Sequence, residues 1–319
     1  MSFSPQDTDF IRRHVMRSIS SNRAPGMHFA GYFLGFTPRR YEKDGVEFTV
    51  AAEPHCTNAD GIVHRAAMLF SADMALAAAN RVHIDPNVRT ATLMLRVEFT
   101  GEPARGTLEI SGRGSGFSPR TALPESVAAG RIQCGGREVM RMSGAWVSPP
   151  APKGMTMYGL PWEGGPDGAQ LPLLKKSELD AAEKDVVRRV EKALRVAQHG
   201  DLLTSLWNPV VKRTPNGALG RLPVGMHVGN RVGHVQGGLS INTALVTAEA
   251  AVPEHPILTG ASAWYISPGQ GKVVTARSTI LQSGRNIAVV RTELFNAGRK
   301  LVLEVVSNHA VAAPHTNLP

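Results

Sequence analysis

The sequence predicts an α+β fold in which one architectural unit occurs twice. Three observations carry that prediction. Residues 55–63 and 227–235 share His, Asn, Gly and Val at matched positions: His55 with His227, Asn58 with Asn230, Gly61 with Gly233, Val63 with Val235, always 172 residues apart. Each segment runs into a stretch rich in small residues with helical character, residues 65–80 and 238–252. Each stretch is followed by several β-type runs separated by hairpin signals. Internal similarity at a fixed spacing marks duplicated architecture.

The elements follow in chain order. Phe10, Ile11, Val15 and Ile19 recur at helical spacing, so the N-terminus reads as a short amphipathic helix. Asp7, Asp9, Arg12, Arg13 and Arg17 interrupt it, which is unlike a signal peptide, and no run of 18 apolar residues occurs anywhere. A strand or two is expected before each long helix, over residues 33–52 in the first half. After the first helix, runs at 90–100, 107–114, 126–134 and 137–147 read as strands. After the second, 258–267, 272–283, 286–295 and 300–307 do. The turn Cys134-Gly-Gly-Arg137 is echoed by Asn296-Ala-Gly-Arg299. Tight turns of this kind make the sheet antiparallel.

Between the halves, residues 149–172 hold six prolines and five glycines, a strong break signal. A linking helix follows. Ser177 is its expected N-cap with Asp180 as capping-box partner, Leu179, Val186, Val190 and Leu194 lie on one face, and Gly200 is its stop. The expected organisation is an N-terminal helix (1–25), a first body (26–148), connector and linking helix (149–200), and a second body (201–319).

Composition narrows function. Hydrophobic residues make up 42% of 319 and charged residues 19%, enough for packed cores and unlike a disordered chain. Cys56 and Cys134 cannot form a disulfide framework and no Cys-x-x-Cys pair exists, so a reducing, cytoplasmic setting is expected. The net charge is +9, but the basic residues are not interleaved with stacking aromatics, and aromatics are only 6%. No nucleic-acid partner and no membrane insertion are expected. A phosphate-bearing ligand such as coenzyme A would suit the charge. The histidines, among them His55, His64, His83, His227 and His234, do not fall on metal-ligand spacings, so no metal is expected. Cys56 reads as a buried small side chain, and Gly112-Arg-Gly114-Ser-Gly116 as a turn without the lysine of a phosphate loop.

The duplicated segment resembles the hotdog fold in its PaaI-like thioesterase branch. There, an Asn-containing loop precedes a long central helix that opens with a His-Gly-Gly-type segment and carries a carboxylate two turns on. The first half shows Asn58-Ala-Asp-Gly-Ile-Val-His64-Arg65 and then Asp73. The second shows Asn230-Arg-Val-Gly-His-Val-Gln236-Gly237-Gly238. The resemblance covers everything except the N-terminal helix and the connector. It implies two hotdog domains, each a long helix wrapped by an antiparallel sheet, packed back to back as a pseudo-dimer. It also implies hydrolysis of acyl-CoA thioesters with no cofactor beyond the coenzyme A of the substrate, at sites built across the interface.

Such hydrolysis needs an oxyanion donor and a base or nucleophile. The Gly237 N–H at a helix start meets the first need, with Gly238 leaving room for substrate. Asp73, among alanines and nine residues after His64, meets the second. The resemblance pairs Asp73 with Asn230, which would orient water or the thioester carbonyl, and with Gln236, which stands where the family often has His. Thr90 or Thr92 could help position the water. The mirrored site combines Asn58, His64 and Arg65 with Leu245, which stands where Asp73 should recur, and with Glu249 one turn later. It is expected to be degenerate. Met155, Met157, Tyr158 and Trp162 either cover an acyl tunnel or clamp the connector to the body. Two alternatives remain open: an enoyl-CoA hydratase, although Asp60-Gly-Ile-Val-His64 fits its spacing poorly, and a non-catalytic acyl-binding protein. A homo-oligomer of double-hotdog chains is possible.

Overall fold

The computed structural model describes residues 3–118, 122–197 and 201–312. The first half contains α1 (Pro5–Asn22), α2 (Phe29–Leu34), β1 (Thr37–Glu42), β2 (Gly45–Val50), α3 (Arg65–Arg81), β3 (Ala91–Phe99), β4 (Leu108–Gly114), β5 (Glu125–Cys134) and β6 (Arg137–Val147). After the connector come α4 (Ala181–Val196), α5 (Leu202–Trp207), β7 (Val210–Thr214), β8 (Gly217–Pro223), α6 (Gly237–Ala251), β9 (Ile257–Tyr265), β10 (Val273–Ser283), β11 (Ile287–Phe295) and β12 (Leu301–Ala310). From each hairpin through the long helix to the four strands behind it, the two halves have the same order.

All twelve strands form one antiparallel sheet in the order β1-β2-β4-β5-β6-β3-β9-β12-β11-β10-β8-β7. The order is a palindrome of the two halves about the β3–β9 pair. Each long helix lies against its own half-sheet: α3 on β4 and β5, α6 on β8, β10 and β11. This is the double-hotdog arrangement. The expected back-to-back stacking needs correction. The halves join edge to edge, from Met94↔Trp264 to Glu98↔Gly260. Pairing two edge strands satisfies backbone groups that would otherwise remain open. It also brings α3 and α6 side by side.

Small residues permit that approach. A Cβ on Gly238 would fall 2.2 Å from the Leu69 carbonyl oxygen, so the start of α6 lies directly on the middle of α3. Both helices are buried on nearly every side, which is why neither shows an amphipathic stripe in its sequence.

Several local expectations are revised. Phe33 belongs to the short helix α2, with Phe29 and Leu34 buried beside it and Gly35 closing it in the left-handed region at φ 63°. The linking helix begins four residues after Ser177. Asp180 caps it, accepting the Glu183 N–H at 2.8 Å while the Glu183 carboxylate accepts the Asp180 N–H at 2.8 Å. Glu183 also takes Arg23 of the first helix at 2.8 Å, which favours this cap over Ser177. Gly200, the expected stop, lies outside the described residues. Gly112 and Gly114 are strand residues of β4, and at Gly114 α3 passes too close for a side chain: a Cβ there would meet the Ala79 carbonyl at 2.4 Å. In the second half the hairpin before the helix is β7–β8, which no periodicity had located.

The connector lies over the first body. Trp162 packs edge-on against Phe48 and Phe36, with centroids 5.1 and 5.8 Å away. Glu163 is buried and bonded to Arg81 Nη2 at 2.6 Å and to the Tyr41 hydroxyl at 2.9 Å. No helix among the described residues is long and apolar enough to cross a membrane.

Candidate active site

The duplicated loop has one local design in both halves. Asn58 Oδ1 accepts the N–H groups of Asp60 and Ile62 at 3.0 Å, and Asn230 Oδ1 accepts those of Val232 and His234 at 3.0 Å. Gly61 and Gly233 turn each loop at φ 71° and 78°, a region that side chains with a Cβ rarely enter. The matched Asn and Gly are therefore loop-forming residues. Asn230 thus holds the loop with its side-chain carbonyl oxygen, and the residue also lines the cavity described next.

The loop delivers the chain to the start of α6. Gln236 is the N-cap, its Oε1 accepting the Leu239 N–H at 3.0 Å. Its other end, Nε2, donates to Asp73 Oδ2 at 2.7 Å. Asp73 comes from the third turn of α3, in the other half. Thr92 Oγ1 donates to Asp73 Oδ1 at 2.8 Å, and the Gly238 N–H also bonds the carboxylate. Thr92 lies beside a register shift between Thr92 and Met94 in β3. A Cβ on Gly237 would fall 2.6 Å from Asp73 Oδ2, so only glycine leaves the carboxylate where it is. Asp73 is buried, and burial pushes its pKa up to about 6 against the opposing pull of Thr92 and Gly238.

The Gly237 N–H is at the first helical position, where no intrahelical acceptor exists. Tyr265 is a member of the site that no sequence signal had marked. Its hydroxyl donates to the Gly237 carbonyl at 2.9 Å. It thereby holds the Gly237–Gly238 peptide from one side while the Gly238 N–H holds Asp73 from the other. Gly238 is thus a packing and anchoring residue, not the acyl-facing position expected from its neighbours.

These groups open onto one cavity of about 430 Å³, lined by Asp73, Thr90, Thr92, Gln236, Gly237 and Tyr265 at its polar end. Met74, Ala77, Met157 and Leu160 add apolar wall. Of the connector residues, Met157 lines this cavity, while Trp162 clamps the chain to the body and Met155 and Tyr158 are exposed.

The mirrored helix start is filled. Arg65 at the head of α3 pairs with Glu249 of α6, through Nη1 to Oε1 and through Nη2 to Oε2 at 2.7 Å. His64 caps α3 by accepting the Ala66 N–H on Nδ1 at 3.0 Å, and its Nε2 lies 3.2 Å from Thr204 Oγ1. Burial pushes the His64 pKa down to about 4 despite Asp201 nearby. Leu245, in the place of Asp73, is wholly buried. Asn58, His64 and Arg65 are not in the cavity around Asp73. Cys56 is also remote from it and buried, its thiol pushed up to about 12 by desolvation, so it is protonated at neutral pH.

Comparison with known proteins agrees with this fold. Residues 227–311 match the family described as the acyl-CoA thioesterase N-terminal domain, although the match lies in the second half of this chain. No curated protein matches the sequence at a significant level. Among solved structures, one assigned as an oleoyl thioesterase from Lactobacillus plantarum is similar at 14% identity, covering 85% of this chain and 98% of its own, with TM-score 0.54. One assigned as a thioesterase from Novosphingobium aromaticivorans is 12% identical, covering 87% and 99%, with TM-score 0.51. The tesB protein of Mycobacterium avium subsp. paratuberculosis is 12% identical, covering 86% and 96%, with TM-score 0.50. The chain is therefore a double-hotdog protein whose second half matches an acyl-CoA thioesterase domain.

Proposed function

We propose that this protein hydrolyses acyl-CoA or related acyl thioesters, with Asp73 as the general base and the Gly237 N–H as oxyanion donor. One observation carries the reading: a buried carboxylate from one half is bonded to the N-cap and first peptides of a helix from the other, inside a cavity. Asp73 takes a proton from water as the water oxygen attacks the thioester carbon. The carbonyl oxygen becomes an oxyanion, for which a helix N-terminus is a preorganised donor. The tetrahedral intermediate then collapses, the C–S bond breaks, and the thiolate leaves with a proton returned from Asp73. Gln236 and Thr92 keep one carboxylate oxygen each in place. Because both oxygens already accept hydrogen bonds, base catalysis fits better than direct attack to form an anhydride.

The Asn230–Gly238 segment supports a PaaI-like motif with Gln236 in the His position. The hydratase reading needs Asp60 and His64 to act together, but both ring nitrogens of His64 are engaged away from the cavity. The acyl-binding reading would be favoured by an exposed Asp73 remote from Gly237, whereas Asp73 is buried and lies against Gly237, which supports the catalytic reading. One chain supplies both halves of the site, so catalysis requires no oligomer. Two buried free thiols suit a reducing compartment such as the cytoplasm.

The test is hydrolysis of a chain-length panel of acyl-CoAs by the protein and its Asp73→Asn variant, with crotonyl-CoA hydration run alongside. Loss of a general base predicts a fall of about 10²–10⁴ in kcat/KM for hydrolysis and no hydration. Equal hydrolysis by the variant overturns the assignment of Asp73.

A further inference from the structure

The cavity contains a group of arginines that the chemistry above leaves unused. From Asp73 it follows α3 past Met74, Ala77 and Ala78 to Arg81, eight residues and so about 12 Å further along the helix. Arg81 is fully engaged: it pairs with buried Glu163 and donates to the carbonyls of Pro86 and Val88 at 2.7 Å. Two further guanidiniums share this wall. The guanidinium of Arg89, just before β3, has no hydrogen bond or ion pair to another described residue. Arg231, next to Asn230 in the other half, donates to the Tyr158 carbonyl at 2.8 Å and has no carboxylate partner. Glu163, whose charge reaches Arg231, is already taken by Arg81.

The neighbouring histidines do not alter this balance. Burial pushes His28 down to about 3 and lowers His234, so both are neutral at pH 7. Arg231 is itself brought down to about 10, first by burial and then by Arg81. Two partly desolvated cations without an ion-pair partner among the described residues are mutually unfavourable, and an anion between them would relieve that. Surface arginines ordinarily extend to water. These two are half-buried, come from opposite halves of the chain, and line the same cavity as the carboxylate.

We propose that Arg89 and Arg231 form an anion-recognition subsite in the wall of the cavity that also holds Asp73, so that the substrates are thioesters bearing a phosphate or carboxylate that reaches these two arginines. This rests on the thioesterase reading for the word substrate, but not for the binding. The anion has two possible sources in one ligand: the phosphates of coenzyme A, or a carboxylate ending the acyl chain. A guanidinium offers paired donors to either.

Calorimetry on the full chain and its Arg89→Gln and Arg231→Gln variants separates the sources without requiring turnover. The probes are coenzyme A against pantetheine, and adipate against hexanoate. We expect the protein to prefer the anion-bearing member of one pair, and each variant to reduce that preference about tenfold or more. Loss confined to the first pair assigns the subsite to phosphate; loss confined to the second assigns it to an acyl carboxylate. Arg89→Gln removes no hydrogen bond, and near-ultraviolet circular dichroism checks that both variants are folded. Absence of either preference in the parent protein, or its persistence in both folded variants, overturns the proposal. Failure of the thioesterase reading would show separately, as absent hydrolysis with the anion preference intact.

Discussion

The two helix starts of this molecule have the same backbone and opposite contents. At the start of α6, glycines meet a carboxylate, and a cavity opens beside them. At the start of α3, an arginine meets a glutamate, and the ion pair occupies the equivalent space. The Asn-loop, the positive-φ glycine and the side-chain cap are common to both. The comparison separates what the duplicated fold needs from what only one copy has. The loop and cap belong to the fold. Asp73, Gln236, Gly237 and Tyr265 belong to one site.

The largest expected effect is on the carboxylate. Asp73→Asn should lower kcat/KM for acyl-CoA hydrolysis by about 10²–10⁴. It should also stabilise the fold at neutral pH. Burial raises the Asp73 pKa to about 6 in the folded chain from its ordinary 3.8. The stability associated with the protonated form is therefore present below about pH 4 and lost as pH rises through about 6. An amide at this position avoids the loss, so thermal unfolding should show the variant gaining on the parent at pH 8 by on the order of 2 kcal/mol, and not at pH 3. An equal difference at both pH values would separate stability from the charge of Asp73.

Next in size is Gly237→Ala. Its Cβ would contact Asp73 Oδ2 at 2.6 Å and displace the carboxylate. Hydrolysis should fall about 10²-fold, because a displacement near 1 Å is costly to a positioned group. Steady-state kinetics beside a circular dichroism spectrum would separate this from unfolding. The pH profile follows. The base acts as the carboxylate, so kcat/KM should be flat above neutrality and fall as pH drops below about 6. A limb near pH 4 would mean that Asp73 is solvated in the working enzyme.

The smallest effect is expected in the mirrored site. Replacing Arg65 and Glu249 together with alanine should alter hydrolysis by less than about twofold, and should lower stability by about 1 kcal/mol, as for a partly exposed ion pair. A large loss of activity would show the mirrored start to be part of the working site.

Much of the fold was legible in the sequence, and for definite reasons. The 172-residue repeat made the duplication legible, because the loop needs Asn to hold its N–H groups and Gly at positive φ, whereas the edge-to-edge joining of the halves was not. The strands behind each helix were marked by tight turns such as Cys134–Arg137. The hairpin β7–β8 and helix α2 were not legible. Short apolar runs such as Phe29–Leu34 look alike as helix or strand, and burial against neighbours decides between them. Asp73, Gln236 and Gly237 were legible through the family resemblance, and Leu245 in the place of Asp73 indicated which copy had lost its carboxylate. Tyr265 was not, because it ends an apolar strand and meets Gly237 only after the sheet has formed. The Arg89 and Arg231 pair was hidden for the same reason: 142 residues separate two cations that one cavity brings together.

The asymmetry between the two helix starts is tested most directly by the stoichiometry of a non-hydrolysable thioether analogue of an acyl-CoA, measured by titration calorimetry. The account predicts one analogue bound per chain, with binding removed by Gly237→Trp and unaffected by the double alanine variant of Arg65 and Glu249. Two equivalent analogues per chain would contradict it.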